Sequence, residues 1–276
     1  MPSLLFWLAV GFYGAGTLLL TPSIWRQRGS ISPAALGALS SGLMLHGISL
    51  ALRASELHRL PITDVRSALS FFAFLTTLAF FLVYLRYRIA SLGLFMLPLV
   101  FVISLVSAAQ PGHSFESESF RSGWLLAHIL TILLGYVGFL VTFVASVMYL
   151  IQEHELKSKR PHAFYYRLPS LEVCDALYLR SLLFGLPMLS LGLLLGFVYA
   201  SRTWKGPWAF DPKILAAMVT WLIYLILFAT RVSGSWSGRR AAYLAIFGFA
   251  LMMITFLGIS FVSGPHGYFP TLGTTP

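Results

Sequence analysis

Two histidines and one short loop carry most of the chemistry this sequence offers. The loop, 204–213, reads Trp204-Lys205-Gly-Pro-Trp208-Ala-Phe210-Asp211-Pro212-Lys213, with Arg202 just before it. Its prolines restrict the backbone, so the aromatic rings and the carboxylate are held stiffly. Tryptophan is common at membrane–water boundaries. The loop therefore reads either as an interfacial anchor or as a platform for something flat. His128 stands in Trp124-Leu-Leu-Ala-His128-Ile-Leu-Thr, about one to two turns inside an apolar run. An ionisable group at such depth is costly and marks a candidate site; the alternative is a neutral ring bonded to a neighbouring helix. His266 follows the last apolar run, in Ser263-Gly-Pro-His266-Gly-Tyr-Phe269, where Gly264, Pro265 and Gly267 predict a tight turn.

The elements that must position these groups are membrane spans. The chain has 276 residues, 58% hydrophobic and 10% charged, far from a soluble average. Apolar runs reach the roughly 20 residues needed to cross a hydrocarbon core of about 30 Å. Period-two alternation, the mark of a membrane barrel, is absent. The expected fold is all-α and polytopic, a single membrane domain over 1–276, with spans near 3–20, 34–52, 67–85, 91–109, 123–150, 180–200, 213–231 and 241–262. The fifth is long enough to project beyond the bilayer. The 151–179 connection is expected to carry an amphipathic helix after Pro169, with Ser170 as N-cap and Glu172 in its first turn. The first run lacks a basic segment before it and is expected to remain as a span rather than be cleaved as a signal.

A net charge of +10 in a soluble protein would suggest nucleic acid. Here the basic residues sit in short loops and report topology, so no nucleic-acid partner is expected. Twelve of the 19 Lys and Arg fall in the odd-numbered connections and seven on the other side. The positive-inside rule then puts both termini, His128, His266 and the 202–213 loop on the outer face. For a bacterial-type inner membrane that face is the periplasmic one. The one cysteine, Cys174, excludes an internal disulfide, a CxxC redox pair and a CxxCH haem-attachment site.

Two imidazoles beside a flat aromatic floor suit haem b, held without covalent attachment. His128 and His266 would be the axial iron ligands. Trp204, Trp208 and Phe210 would contact the macrocycle, and Arg202, Lys205 and Lys213 would pair with the propionates. Asp211 either accepts from a Trp indole N–H or caps the seventh span ahead of Pro212. Zinc fits less well, because no third ligand has suitable spacing to the pair. His46, with Arg53 about two turns later, either lines the same cavity or is a polar residue packed between helices. His113, with Glu116 and Glu118 nearby, and His154 and His162, in a charged connection, read as solvated.

This pattern resembles the haem-handling superfamily of cytochrome c biogenesis, closest to its CcsA branch with the related HemX-type proteins. The resemblance rests on the tryptophan-rich loop ending in Asp211-Pro212-Lys213 and the following Thr220-Trp221-Leu-Ile-Tyr224. It rests also on the turn Gly264-Pro-His266-Gly-Tyr268, on His128 with Gly135-Tyr136 downstream, and on His46, Arg53, Pro61 and Ser70-Phe71-Phe72 early in the chain. It covers most of the chain. It implies a protein that presents haem vinyl groups to the CxxCH motif of an apocytochrome c, beside a CcsB-like membrane partner, as at most one part of a haem-lyase complex.

The sequence also departs from that family. Phe210 stands where the family has Trp before Asp, and Arg66-Ser67-Ala68 replaces a segment resembling Glu-Ser-Leu. Phe228-Ala229-Thr230-Arg231 lacks the inner histidine of CcsA-like haem synthases. The alternative implied is a HemX-like regulator or accessory of tetrapyrrole synthesis, acting through the 151–179 connection. A bis-His electron-transfer cytochrome fits less well, since it pairs its histidines deeper in a bundle; a transporter is the remaining class.

Overall fold

The computed structural model describes residues 2–26, 30–62, 64–109, 123–158, 165–203, 208–234 and 238–258. Among them are eight α-helices and no strand. These are α1 (Pro2–Arg26), α2 (Pro33–Leu57), α3 (Val65–Tyr87), α4 (Ser91–Ala109), α5 (Gly123–Lys157), α6 (Leu171–Thr203), α7 (Pro212–Val232) and α8 (Arg239–Met253). A 3-10 turn, Trp208–Phe210, precedes α7, and a π-helical turn, Ile254–Gly258, follows α8. All eight helices are long and apolar enough to cross a membrane. In lipid every backbone N–H and C=O must be satisfied within the segment, which helices accomplish. The protein is a multi-pass membrane protein.

Local sequence explains where several helices begin. Ser32 caps α2 by accepting from the Ala35 N–H at 3.2 Å, with Pro33 at the first helical position. Asp64 and Ser67 form a reciprocal capping box for α3: Asp64 Oδ1 accepts from the Ser67 N–H at 2.6 Å, and Ser67 Oγ accepts from the Asp64 N–H at 3.0 Å. Three of the buried hydroxyls are satisfied within their own helices. Thr77, Thr142 and Ser181 each donate to the carbonyl four residues earlier.

Several helices run a few residues past their expected bounds, and one expected boundary between elements is absent. The amphipathic helix expected after Pro169 and the span expected at 180–200 are one continuous helix, α6, of 33 residues. The reason is an unbroken buried stripe, Cys174, Leu177, Tyr178, Ser181, Leu182, Gly185, Leu186 and Leu189, at helical spacing. No proline or glycine interrupts it before Gly185. Asp175, which makes the segment look like a loop, is neutralised by Arg231 of α7 at 2.6 Å.

The helices fall into two compact units, Met1–Leu126 with Ile151–Leu171, and Ala127–Leu150 with Glu172–Pro276. In the first, α1 packs on α2 and α4, and α3 packs on α4 and α2. Its core includes Tyr13, Leu39, Phe72, Phe80 and Met96, all with no more than trace exposure. In the second, α5 and α6 cross closely through glycines. A Cβ on Gly138 would lie 2.8 Å from the Gly185 Cα, and one on Gly135 would lie 3.0 Å from the Leu189 N. Such small-residue crossings are how membrane helices gain van der Waals contact. The Phe139 and Tyr224 rings stack at 3.5 Å between α5 and α7, and Phe143 stacks on Phe249 of α8 at 4.3 Å.

Candidate functional site

His128 is set by the α5–α6 crossing. Its Nδ1 lies 2.6 Å from the Gly192 carbonyl oxygen. A carbonyl has no proton to give, so Nδ1–H is the donor, and the neutral ring carries its lone pair on Nε2. Among the described residues Nε2 has no hydrogen-bond partner. A ring held through Nδ1 by a backbone carbonyl is the arrangement that orients metal-ligating histidines. The donor chemistry therefore fits a haem iron at Nε2.

Asp211 is 6% exposed and begins α7. Its Oδ1 accepts from the backbone N–H of Lys213 at 2.9 Å and of Ile214 at 3.3 Å. It is therefore an N-cap, with Pro212 behind it. The cap fixes the direction of the first turn of α7. Lys213, on that turn, acts electrostatically on His128. His128 of α5 is thus bonded to Gly192 of α6 at the end of the second unit where Lys213, on the first turn of α7, lies within electrostatic reach of its ring. Phe210, just before the cap, is 75% exposed, and Arg202, at the end of α6, is exposed as well. Trp204, Lys205 and His266 lie outside the described residues, as do His113, His162 and the side chain of Trp208.

His46 and Arg53 belong to the first unit. The His46 ring is fully buried and both its nitrogens are engaged. Nδ1 shares a hydrogen bond with the Tyr13 hydroxyl at 3.2 Å, and Nε2 with the Ser70 hydroxyl at 2.9 Å. Phe6 and Phe74 close on the ring at 4.9 and 5.6 Å. No nitrogen of His46 is left to take a metal in this arrangement. Arg53 is half-buried, within the fields of Arg66, Asp64 and Glu56.

The opposite end of the second unit holds a different set of groups. Arg231 of α7, two residues after Ala229, bonds Asp175 and lies over the Tyr178 ring at 5.5 Å. Nearer the middle, Trp221 donates its indole N–H to Ser190 Oγ at 2.9 Å, which ties α7 to α6. The residues missed in the sequence are the glycines of α6. Gly192 and Gly196 stand one turn apart; Gly192 offers its carbonyl to His128 Nδ1–H, and Gly196 packs against the ring. Their spacing is a small-xxx-small signal, visible in Gly192-Leu-Leu-Leu-Gly196 without reference to the fold.

Eight apolar helices, with His128 hydrogen-bonded across two of them and Asp211 capping the start of α7, make up a polytopic membrane protein. The sequence matches the family described as Cytochrome C assembly protein over residues 34–266, and the chain belongs to that family. It is 28% identical to the cytochrome c biogenesis protein CcsA of Guillardia theta, across 80% of each chain. It is 28% identical to that of Synechococcus sp. (strain CC9605), across 94% of this chain and 95% of the relative, and 24% identical to that of Mesostigma viride, across 84% and 85%. These relatives offer no support for the HemX-like alternative.

Proposed function

We propose that this protein holds haem b non-covalently at the outer face of a bacterial-type inner membrane, for attachment to an apocytochrome c. Its place in c-type cytochrome biogenesis follows from its family, which assembles cytochromes c and so handles haem and apocytochrome. The observation that carries the site is the His128–Gly192 hydrogen bond at 2.6 Å, because it presents Nε2 as the ligating atom. On this reading His266 would be the second residue holding the iron. The loop from Trp204 to Phe210 supplies apolar contact, and Arg202, Lys205 and Lys213 pair with the propionates. Asp211 acts through the cap that aims Lys213. The whole chain, 1–276, works as one membrane domain, with a CcsB-like protein beside it.

Bound haem supplies two vinyl groups to the thiols of the CxxCH motif. Each S–H adds across one C=C, sulfur to one carbon and hydrogen to the other, so no oxidant is consumed. The contribution of this chain is to bind and orient, which raises the effective concentration of the reacting groups. His46, with both nitrogens engaged, is a packing residue on this reading rather than a ligand, and Arg53 is an edge residue of the first unit. Ala229 offers iron no donor at the inner end of α7, and the reading assigns this chain no inner haem site.

The test is deletion of the gene followed by assay of covalently bound c-type haem and of haem precursors. Loss of covalent haem with normal precursor levels, restored by the wild-type gene and not by His128→Ala, is expected. Normal cytochrome c with altered precursor levels would instead make the protein a regulator.

A further inference from the structure

Gly196 occupies a position that no other residue type can fill while His128 stays where it is. A Cβ on Gly196 would lie 2.6 Å from His128 Cε1 and 2.8 Å from Nδ1. Real Cβ atoms essentially never come closer than 3.0 Å to a neighbour. The imidazole is rigid, and its Nδ1–H is tied to the Gly192 carbonyl one turn away. It has no flexible end to swing clear without losing that bond. Tight seats recur at other helical glycines: a Cβ would lie 2.9 Å from the Tyr13 ring at Gly42, 2.9 Å from the Phe139 ring at Gly185 and 2.8 Å from backbone at Gly138, while those on Gly11 and Gly37 would meet nothing within 4 Å. Gly196 is the one among the described glycines whose Cβ would meet the His128 ring. Glycine is disfavoured in helices relative to alanine, so its presence at 196 answers to the packing of the ring.

We propose that Gly196 is the positioning residue for His128: it seats the imidazole against α6 so that Nδ1–H reaches the Gly192 carbonyl and Nε2 faces the iron. The proposal rests on the reading of His128 as a haem ligand. A methyl group at 196 pushes the ring off the helix, breaks the bond that fixes its tautomer, and leaves iron coordination to a misplaced or absent nitrogen. Gly196 itself touches neither haem nor thiol.

The test uses Gly196→Ala, His128→Ala and the double variant, each purified in detergent and titrated with ferric haem. Loss of a partner behind a metal-bound histidine costs about 10- to 100-fold in affinity. Gly196→Ala is expected to weaken haem binding by that factor and to lose the low-spin absorption, and added imidazole is expected to restore the low-spin band. The double variant is expected to be no weaker than His128→Ala alone. A readout without haem accompanies it. Gly196→Ala should lower the melting temperature of the apoprotein, and the double variant should recover it, because the vacated ring leaves room for the methyl. Wild-type haem binding by Gly196→Ala, when His128→Ala is impaired, overturns the proposal. So does an equal loss of melting temperature in both backgrounds. If His128→Ala itself binds haem as the wild type does, the ligand reading falls instead, and the melting temperatures alone judge the seat.

Discussion

The Nδ1 of His128 and the carbonyl oxygen of Gly192 stand 2.6 Å apart, joining the first turns of α5 to the C-terminal half of α6. This bond decides which ring nitrogen is available for a metal. It also makes the placement of the ring a property of the helix crossing rather than of a loop, and groups on packed helices hold geometry better than groups on loops.

Phe210 separates folding from binding. It is 75% exposed, so Phe210→Ala should change thermal stability by less than ~0.5 kcal/mol. Loss of its contact with the macrocycle should still weaken haem binding by roughly 10-fold. Unchanged haem affinity in a folded Phe210→Ala protein would remove this residue from the site.

Asp211 should behave as a cap. Asp211→Ala removes the acceptor for the Lys213 and Ile214 N–H groups and should cost about 1 kcal/mol. Asp211→Asn keeps an acceptor and should retain most of that. Thermal unfolding of the two variants distinguishes a cap, with Asn close to wild type, from a role that needs the charge, with Asn and Ala alike.

The ion pair at the other end of the second unit should matter for stability and not for haem. The Arg231 side chain is 10% exposed and that of Asp175 is 37% exposed. Asp175→Asn leaves a buried guanidinium without its carboxylate and should cost ~1–2 kcal/mol, against less than ~1 kcal/mol for Arg231→Gln, which leaves a carboxylate that water reaches. Both variants should bind haem as the wild type does in a spectroscopic titration. Loss of the low-spin band in either would tie the C-terminal end of α7 to the site.

His46→Ala should destabilise by ~2–4 kcal/mol, because it opens a cavity and orphans the Tyr13 and Ser70 hydroxyls. The absorption of bound haem should be unchanged at temperatures where the variant is folded. A shifted spectrum would make His46 part of the haem site.

The spans could be read from the sequence because each is an apolar run of crossing length, and Asp211-Pro212 could be read as a helix start. The continuity of α6 could not. Glu172, Asp175 and Arg180 make its first turns look like a polar connection, and only Arg231, 56 residues from Asp175 in sequence, explains the carboxylate. The fates of His46 and His128 were equally hidden. Both are histidines within apolar runs, yet the first has Tyr13 and Ser70 on its two nitrogens and the second has one carbonyl. That difference lies in partners 24 to 64 residues away. Gly196 shows the same limit, since its spacing from Gly192 is local but the ring it receives comes from another helix.

The central proposal is that His128 would hold haem iron through Nε2, together with His266. Its most direct measurement is the absorption spectrum of the purified protein with bound haem, compared among the wild type, His128→Ala and His266→Ala. The account predicts six-coordinate, low-spin haem in the wild type and loss of that signature in each variant, with imidazole restoring it. An unaltered low-spin spectrum in both variants would contradict it.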